Sequence, residues 1–89
     1  MPRIQFTPQL RRFTETPIVD CDAAVLRDAL EAAFDANPRL RGYVLDDQGH
    51  VRPNVVVFVD GRRSDDRVAL ADPLAPHSEV HVMQALSGG

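Results

Sequence analysis

Apolar residues recur every three or four positions over residues 23–34, the spacing that lines up one side of an α-helix. The stripe consists of Val25, Leu26, Ala29, Leu30, Ala33 and Phe34. Asp22 stands at the N-cap position, and Asn37 before Pro38 is a stop signal because a residue that precedes proline avoids the helical region. We therefore predict one amphipathic helix of about fourteen residues.

Four other segments have the composition of β-strands. Residues 3–7 and 79–84 alternate polar and apolar side chains, and residues 17–21 make a short strand that begins with a proline. Residues 54–60 are the richest in β-branched side chains and are predicted to be the central strand. These elements predict an α+β fold of the β-grasp (ubiquitin-like) type, in which a mixed sheet of four to five strands packs on one main helix.

The remaining segments carry weaker signals. Residues 43–45 and 50–52 are predicted to be two short arms of a hairpin or ordered loop, because turn-forming residues lie between them. Residues 68–70 are a candidate for one more short strand. Leu10 and Phe13 interrupt a polar loop and are expected to plug an edge of the core.

The composition is that of one globular domain. The 89 residues are 44% hydrophobic and 26% charged, and a chain of this length builds a single core. The net charge of −3 argues against nucleic acid as a partner, and the longest apolar run, residues 55–59, is far too short to span a membrane. No signal-peptide pattern is present and there is one cysteine, so we expect a cytoplasmic protein.

Two groups of side chains are candidates for chemistry. His77, Glu79 and His81 alternate, so on a strand they would share one face, and imidazoles with a carboxylate are a ligand set that zinc accepts. His77 falls in a predicted loop, however, and we predict no metal site. Cys21 lies between two aspartates, which raise the pKa of a neighbouring thiol, so it is predicted to be a small buried hydrophobic residue.

Four segments are similar to the corresponding parts of a known protein family. They are V-L-R-D-A-L at residues 25–30, V-V-V-F-V-D-G at 55–61, E-V-H-V at 79–82 and the terminal L-S-G-G at 86–89. On these residues the chain resembles the MoaD/ThiS family of ubiquitin-like sulfur carriers, and the likeness extends over nearly its whole length. Residues 76–78 replace the acidic, glycine-containing turn usual in that family, so Pro76 is expected in the second position of a different turn.

The resemblance implies a function for the carboxy terminus. In the family, a ubiquitin-activating-type enzyme uses ATP and Mg²⁺ to adenylate the terminal glycine, here Gly89. Sulfur from a persulfide or sulfide source then displaces AMP, and a sulfur-accepting synthase takes the sulfur from the resulting thiocarboxylate. The carrier itself binds no cofactor and is a cosubstrate rather than an enzyme, or the small subunit of an enzyme complex. Residues 1–85 would form the domain, and Leu86, Ser87, Gly88 and Gly89 a flexible tail extending at most about 13–14 Å.

Alternation within the strands also predicts a partner-binding face. Val56 and Phe58 in one strand, and His81 and Met83 in the last, are expected to point away from the helix and to form an exposed apolar patch beside the tail. The residues alone leave open whether Phe58 is instead covered by residues 45–54. The resemblance favours the patch, because family members dock on activating and acceptor enzymes through the surface around their last strand.

Two further function classes stay open on the sequence alone. The chain could be a protein modifier joined through Gly89 to lysines of its targets, or a plain β-grasp interaction module. All ten basic residues are arginine, so the chain cannot form lysine-linked chains with itself, although single conjugation remains compatible. Arg52, Arg62 and Arg63 could add charged contacts at the rim of the patch, which set encounter rates more than affinity.

Overall fold

The computed structural model describes residues 1–7, 16 and 18–84. Five strands and two helices follow one another in this part of the chain. They are β1 (Arg3–Phe6), β2 (Val19–Asp20), α1 (Leu26–Ala36), α2 (Arg39–Val44), β3 (Val55–Val59), β4 (Arg62–Arg63) and β5 (Glu79–Gln84). Leu10 and Phe13, and the predicted tail at 86–89, lie outside the described residues. Neither helix is long or apolar enough to span a membrane.

The five strands form one mixed sheet in the order β2-β1-β5-β3-β4. Strands β1 and β5 run parallel, and the other neighbours are antiparallel. Together with the helices on one face, this is the predicted β-grasp arrangement. The prediction that residues 54–60 form the central strand was wrong, because β5 lies in the middle. The composition of a strand reflects how buried it is, not where it lies in the sheet. Val57 in β3 is nearly as buried as Val82 in β5, so composition cannot show which of the two strands is central.

The hydrophobic core lies between the sheet and the two helices. The sheet contributes Ile4, Phe6, Val55, Val57, Val80 and Val82, and the helices contribute Leu26, Ala29, Leu30, Ala33, Phe34, Leu40 and Val44. Five of the six residues of the predicted stripe are therefore buried in α1. Burial of each large aliphatic side chain stabilises the fold by about 1.5–3 kcal/mol.

Helix α1 begins later than predicted. Its N-cap is Val25, which is extended and makes no capping bond with its side chain, so the prediction that Asp22 caps the helix was wrong. Two amides of the first turn find tertiary partners instead. The Leu26 amide donates to the carbonyl of Asp72 and the Arg27 amide to the carbonyl of Leu70, each at 2.9 Å. A distant loop satisfies the donors that a capping side chain normally satisfies.

Two predicted strand segments are not strands. Tyr43 and Val44 belong to α2, and only an isolated bridge between Leu45 and Val51 remains of the predicted hairpin. Residues 68–70 form a loop held by the carboxylate of Asp66, which accepts hydrogen bonds from three backbone amides. Leu70 in this loop has a φ of 56°, which no regular strand tolerates.

The turn before β5 has the predicted form. The Ser78 amide donates to the carbonyl of Ala75 at 3.0 Å, which places Pro76 in the second position of a four-residue turn. Proline fits there because its fixed φ matches that position. The turn delivers the chain into the central strand at Glu79.

Candidate functional site: the open face of the sheet

The sheet has one face that the helices do not cover, called here the open face. Val56 lies directly opposite Met83, and Phe58 directly opposite His81, in the antiparallel pairing of β3 with β5. The four predicted side chains thus form two adjacent cross-strand pairs, since directly opposed residues share a face. Met83 is 42% exposed, and the other three are partly exposed. The alternation in the sequence correctly placed all four away from the core.

A shallow groove of about 410 Å³ runs over this face. Phe58, His81 and Met83 line it together with Gln5, Thr7 and Gly61. Sequence reasoning missed the contribution of β1. The alternation of residues 3–7 would have put Gln5 and Thr7 on one side, but only the parallel pairing of β1 with β5 brings Gln5 opposite His81.

Residues 45–54 do not cover Phe58. Leu45 and Val51 are buried in the core on the helix side, where Val51 and Val57 line the same small internal space. Val57 precedes Phe58 on β3 and points to the opposite face. The alternative in which Phe58 packs beneath residues 45–54 is therefore wrong.

The three predicted rim arginines are not equivalent. Arg63 pairs with Phe58 and shares the open face, whereas Arg62 pairs with Val59 and belongs to the helix side. The Arg52 guanidinium donates to the carbonyl of Gly42 at 2.7 Å, within the helical layer. Of these three arginines, Arg63 is therefore the one that lies on the open face.

Strand β5 is held on both sides up to its last described residue. Gln84 pairs with Val55 of β3, and its amide donates to Thr7 Oγ1 at 3.3 Å on the β1 side. The Thr7 amide donates in turn to the carbonyl of Val82 at 3.0 Å. Leu86, Ser87, Gly88 and Gly89, the predicted tail, lie outside the described residues. The last described residue, Gln84, is therefore held in place at the end of β5.

A carboxylate network at the other end of β5 fixes its register against β3. Asp60 has a φ of 51° and accepts hydrogen bonds from the Glu79 amide at 2.9 Å and the Ser78 hydroxyl at 2.8 Å. These two donors hold the pKa of Asp60 below its usual value. Because the network ties the end of β3 to the start of β5, it supports the register that sets Phe58 opposite His81.

The other candidate residues, His77 and Cys21, lie in a turn and in the core. His77 lies in the turn before β5, and among residues 1–7, 16 and 18–84 no group of three His, Cys, Asp or Glu side chains could hold a metal ion. Cys21 is buried as predicted, with its thiol 3.7 Å from the carbonyl of Pro2. Burial raises the pKa of this thiol, which makes it a weak nucleophile.

No protein-family model and no curated protein sequence matches the chain. Solved structures do match it. A crystal structure of small archaeal modifier protein 1 (SAMP1) from Haloferax volcanii is 27% identical over 99% of this chain and 98% of that chain, with a TM-score of 0.77. A second crystal structure of that protein is 24% identical over 96% of this chain and 97% of that chain, with a TM-score of 0.74.

A solution structure extends the likeness to a second organism. SAMP1 from Methanosarcina acetivorans is 18% identical over 99% of this chain and 95% of that chain, with a TM-score of 0.77. The fold is therefore ubiquitin-like β-grasp over nearly the full length of the chain. Its structural neighbours are small archaeal modifier proteins.

Proposed function

We propose that this chain is a cytoplasmic ubiquitin-like sulfur carrier whose reacting group is the carboxylate of Gly89. The observation that carries the proposal is the Gly88-Gly89 pair placed just beyond the central strand of a ubiquitin-like fold. The chain acts as a protein cosubstrate. Its partners are a ubiquitin-activating-type enzyme, a persulfide or sulfide source and a synthase that accepts the sulfur.

The proposed chemistry has two steps. A carboxylate oxygen of Gly89 attacks the α-phosphorus of ATP, pyrophosphate leaves, and an acyl adenylate forms. Sulfide then attacks the acyl carbon, the bond to the adenylate oxygen breaks, and AMP leaves behind a thiocarboxylate. With a persulfide as donor, the acyl disulfide first formed is cleaved by a thiol, which yields the thiocarboxylate and a disulfide. ATP and Mg²⁺ are bound by the activating enzyme, where the metal holds the phosphates.

The chain's own contribution is position rather than catalysis. Glycine lacks a Cβ, so Gly88 and Gly89 can follow a channel too narrow for other residues. Five residues beyond Gln84, the Gly89 carboxylate lies at most about 17 Å from the end of β5 when fully extended. Gln84, from which this distance is counted, is held in place by its hydrogen bond to Thr7 and its pairing with β3.

A second candidate function is supported by the structural neighbours, which are named modifier proteins. A modifier would form the same acyl adenylate. The nucleophile that displaces AMP would then be an amine of a target protein rather than sulfur. The two functions therefore share Gly89 and the activating enzyme and differ only in the second nucleophile.

Intact-protein mass spectrometry separates these functions. The chain is co-expressed with a ubiquitin-activating-type enzyme. A sulfur carrier gains mass by one exchange of oxygen for sulfur, whereas a modifier is found as higher-mass adducts on other proteins. Deletion of Gly89 must abolish either product, and Ser87→Ala, which keeps both glycines, must not. A wild-type chain that shows neither product contradicts the proposal.

A further inference from the structure

The sulfur-containing side chains differ in their access to solvent. The chain has one cysteine, Cys21, and two methionines, Met1 and Met83. Cys21 is 7% exposed, and burial raises the pKa of its thiol, so little of the thiolate that oxidants attack is present. Met1 is 69% exposed and Met83 is 42% exposed. A mild oxidant in solution therefore reaches the two thioethers and not the thiol.

The two methionines lie at opposite ends of the sheet. Met1 precedes β1, whose first residue, Arg3, pairs with Glu79 at the start of β5. Met83 lies near the end of β5, directly opposite Val56 of β3. It lines the groove of about 410 Å³ on the open face, and Met1 does not. Oxidation at the two positions should therefore have different consequences.

Oxidation would change the chemistry of the groove at Met83. A thioether is flexible and apolar, whereas a sulfoxide carries a polar oxygen that accepts hydrogen bonds. The neighbours of Met83 on β3, Val56 and Phe58, offer no donor to that oxygen. A partner that covers the groove would have to bury the sulfoxide against apolar surface, which is unfavourable unless the oxygen finds a donor.

We infer that Met83 is a site of reversible oxidation and that its sulfoxide weakens binding of the activating enzyme at the open face, an inference that rests on the proposed function. The thioether sulfur attacks one oxygen of hydrogen peroxide, the O–O bond breaks, and the other oxygen leaves as hydroxide. The hydroxide takes the proton from the sulfur-bound oxygen and becomes water. Sulfur loses two electrons and the peroxide gains them.

The modification can be reversed without breaking the chain. A thiol-dependent methionine sulfoxide reductase removes the oxygen as water while two thiols become a disulfide. The site also suits a sulfur carrier, because a peroxide oxidises sulfide and persulfides as well. Since adenylation precedes sulfur delivery in the proposed reaction, a chain that no longer binds the activating enzyme consumes no ATP while its sulfur donor is being lost.

The experiment measures adenylation before and after oxidation of the wild-type chain. The chain is treated with hydrogen peroxide, which is removed before the assay, and peptide mass mapping locates the added oxygen. The measured quantities are kcat and KM for the chain in ATP–pyrophosphate exchange, a reaction that involves no sulfur. We expect the sulfoxide at Met83 to raise KM about tenfold with kcat unchanged. Treatment with the reductase should restore the original KM.

Two variants separate Met83 from all other effects of peroxide. Met83→Leu removes the thioether from the groove, and Met83→Leu with Val68→Met moves an exposed thioether to the helix side. Val68 is suited to this because it is 57% exposed and its carbonyl is bound by Arg27 of α1. Each variant is compared with itself before and after peroxide. Its KM should change less than about twofold, although the second variant gains oxygen at position 68.

Several results would overturn the inference and leave the proposed function standing. They are an unchanged KM with the sulfoxide present on Met83, a Met83 that peroxide leaves unmodified in the folded chain, and an equal rise of KM in Met83→Leu. A KM that the reductase does not restore, or a lower stability of the oxidised chain towards urea, would assign the effect to damage and overturn it too. A wild-type chain that supports no exchange before oxidation would overturn the proposed function itself.

Discussion

The two faces of the sheet are made by the same strands but differ in how much of their side chains is buried. On the helix side, Ile4, Val80 and Val82 are completely buried. On the open face, their neighbours Gln5, His81 and Met83 remain partly exposed. One alternating sequence thus supplies the core on one side and, on the other, the exposed face that we propose for partner binding. The lesson is that adjacent substitutions on a single strand should separate folding from partner binding.

The largest expected effect tests the buried side of this comparison. Ile4→Ala should lower the free energy of unfolding by about 3 kcal/mol, because the side chain is fully buried and its removal leaves a cavity. Gln5→Ala, one residue away on the open face, should change it by less than about 0.5 kcal/mol. Urea unfolding of both variants measures the difference. If Ile4→Ala does not fold, Ile4→Val replaces it with an expected loss of about 1 kcal/mol. Equal losses at the two positions would refute the assignment of faces.

A smaller effect is expected from a charge on the open face. On the proposed function, Met83→Asp should raise the KM of this chain for an activating enzyme more than tenfold, because docking would bury an unpaired carboxylate beside Phe58. The control is Val68→Asp, since Val68 is 57% exposed but its carbonyl is bound by Arg27 of α1, which places it with the helices. Unfolding of both variants should match wild type. If Val68→Asp raises KM as much as Met83→Asp does, the result would argue against a docking role for the open face.

The smallest effect concerns the register that puts each side chain on its face. The Glu79 amide and the Ser78 hydroxyl hold the pKa of Asp60 down, so the ionised carboxylate stabilises the folded state. This stabilisation is complete above the usual aspartate pKa of about 3.9 and is lost as the pH falls through the lower folded-state value. Asp60→Asn keeps the left-handed backbone, which asparagine tolerates, but does not titrate.

Thermal unfolding as a function of pH measures this contribution. Wild type should be the more stable at neutral pH, and its advantage over Asp60→Asn should shrink as the solution is acidified below about pH 4. Asp66 and the other carboxylates with lowered pKa values titrate equally in both proteins, so the difference between the curves isolates Asp60. Curves that run parallel through the acidic range would show that the network does not stabilise the fold.

Features that depend on local periodicity were predictable from the sequence. The stripe of α1 and the outward direction of Val56, Phe58, His81 and Met83 follow from residue spacing alone, and the structure confirms both. The turn at Pro76 was expected because the family resemblance puts a turn at residues 76–78 and the fixed φ of proline suits its second position, and the structure confirms it.

Features that depend on distant contacts were not predictable. Asp22 has the right chemistry for an N-cap, yet the amides of the first helical turn are bound by the carbonyls of residues 70 and 72 instead. Strand β4 has two exposed arginines and no alternation, so only its pairing with β3 defines it. For α2, the spacing of Leu40 and Val44 by four residues was a usable signal. The places of Gln5 and Arg63 on the open face follow only from knowing which strands are neighbours.

The most direct test of the central claim is the location of the sulfur. Purified chain is incubated with the activating enzyme, ATP, Mg²⁺ and sulfide, and the product is fragmented in the mass spectrometer. The account predicts one exchange of oxygen for sulfur on the fragment that ends in Gly89, and no exchange when ATP is omitted. A chain that is fully active in its cell while Gly89 stays unmodified, or sulfur found on Cys21 instead, would contradict it.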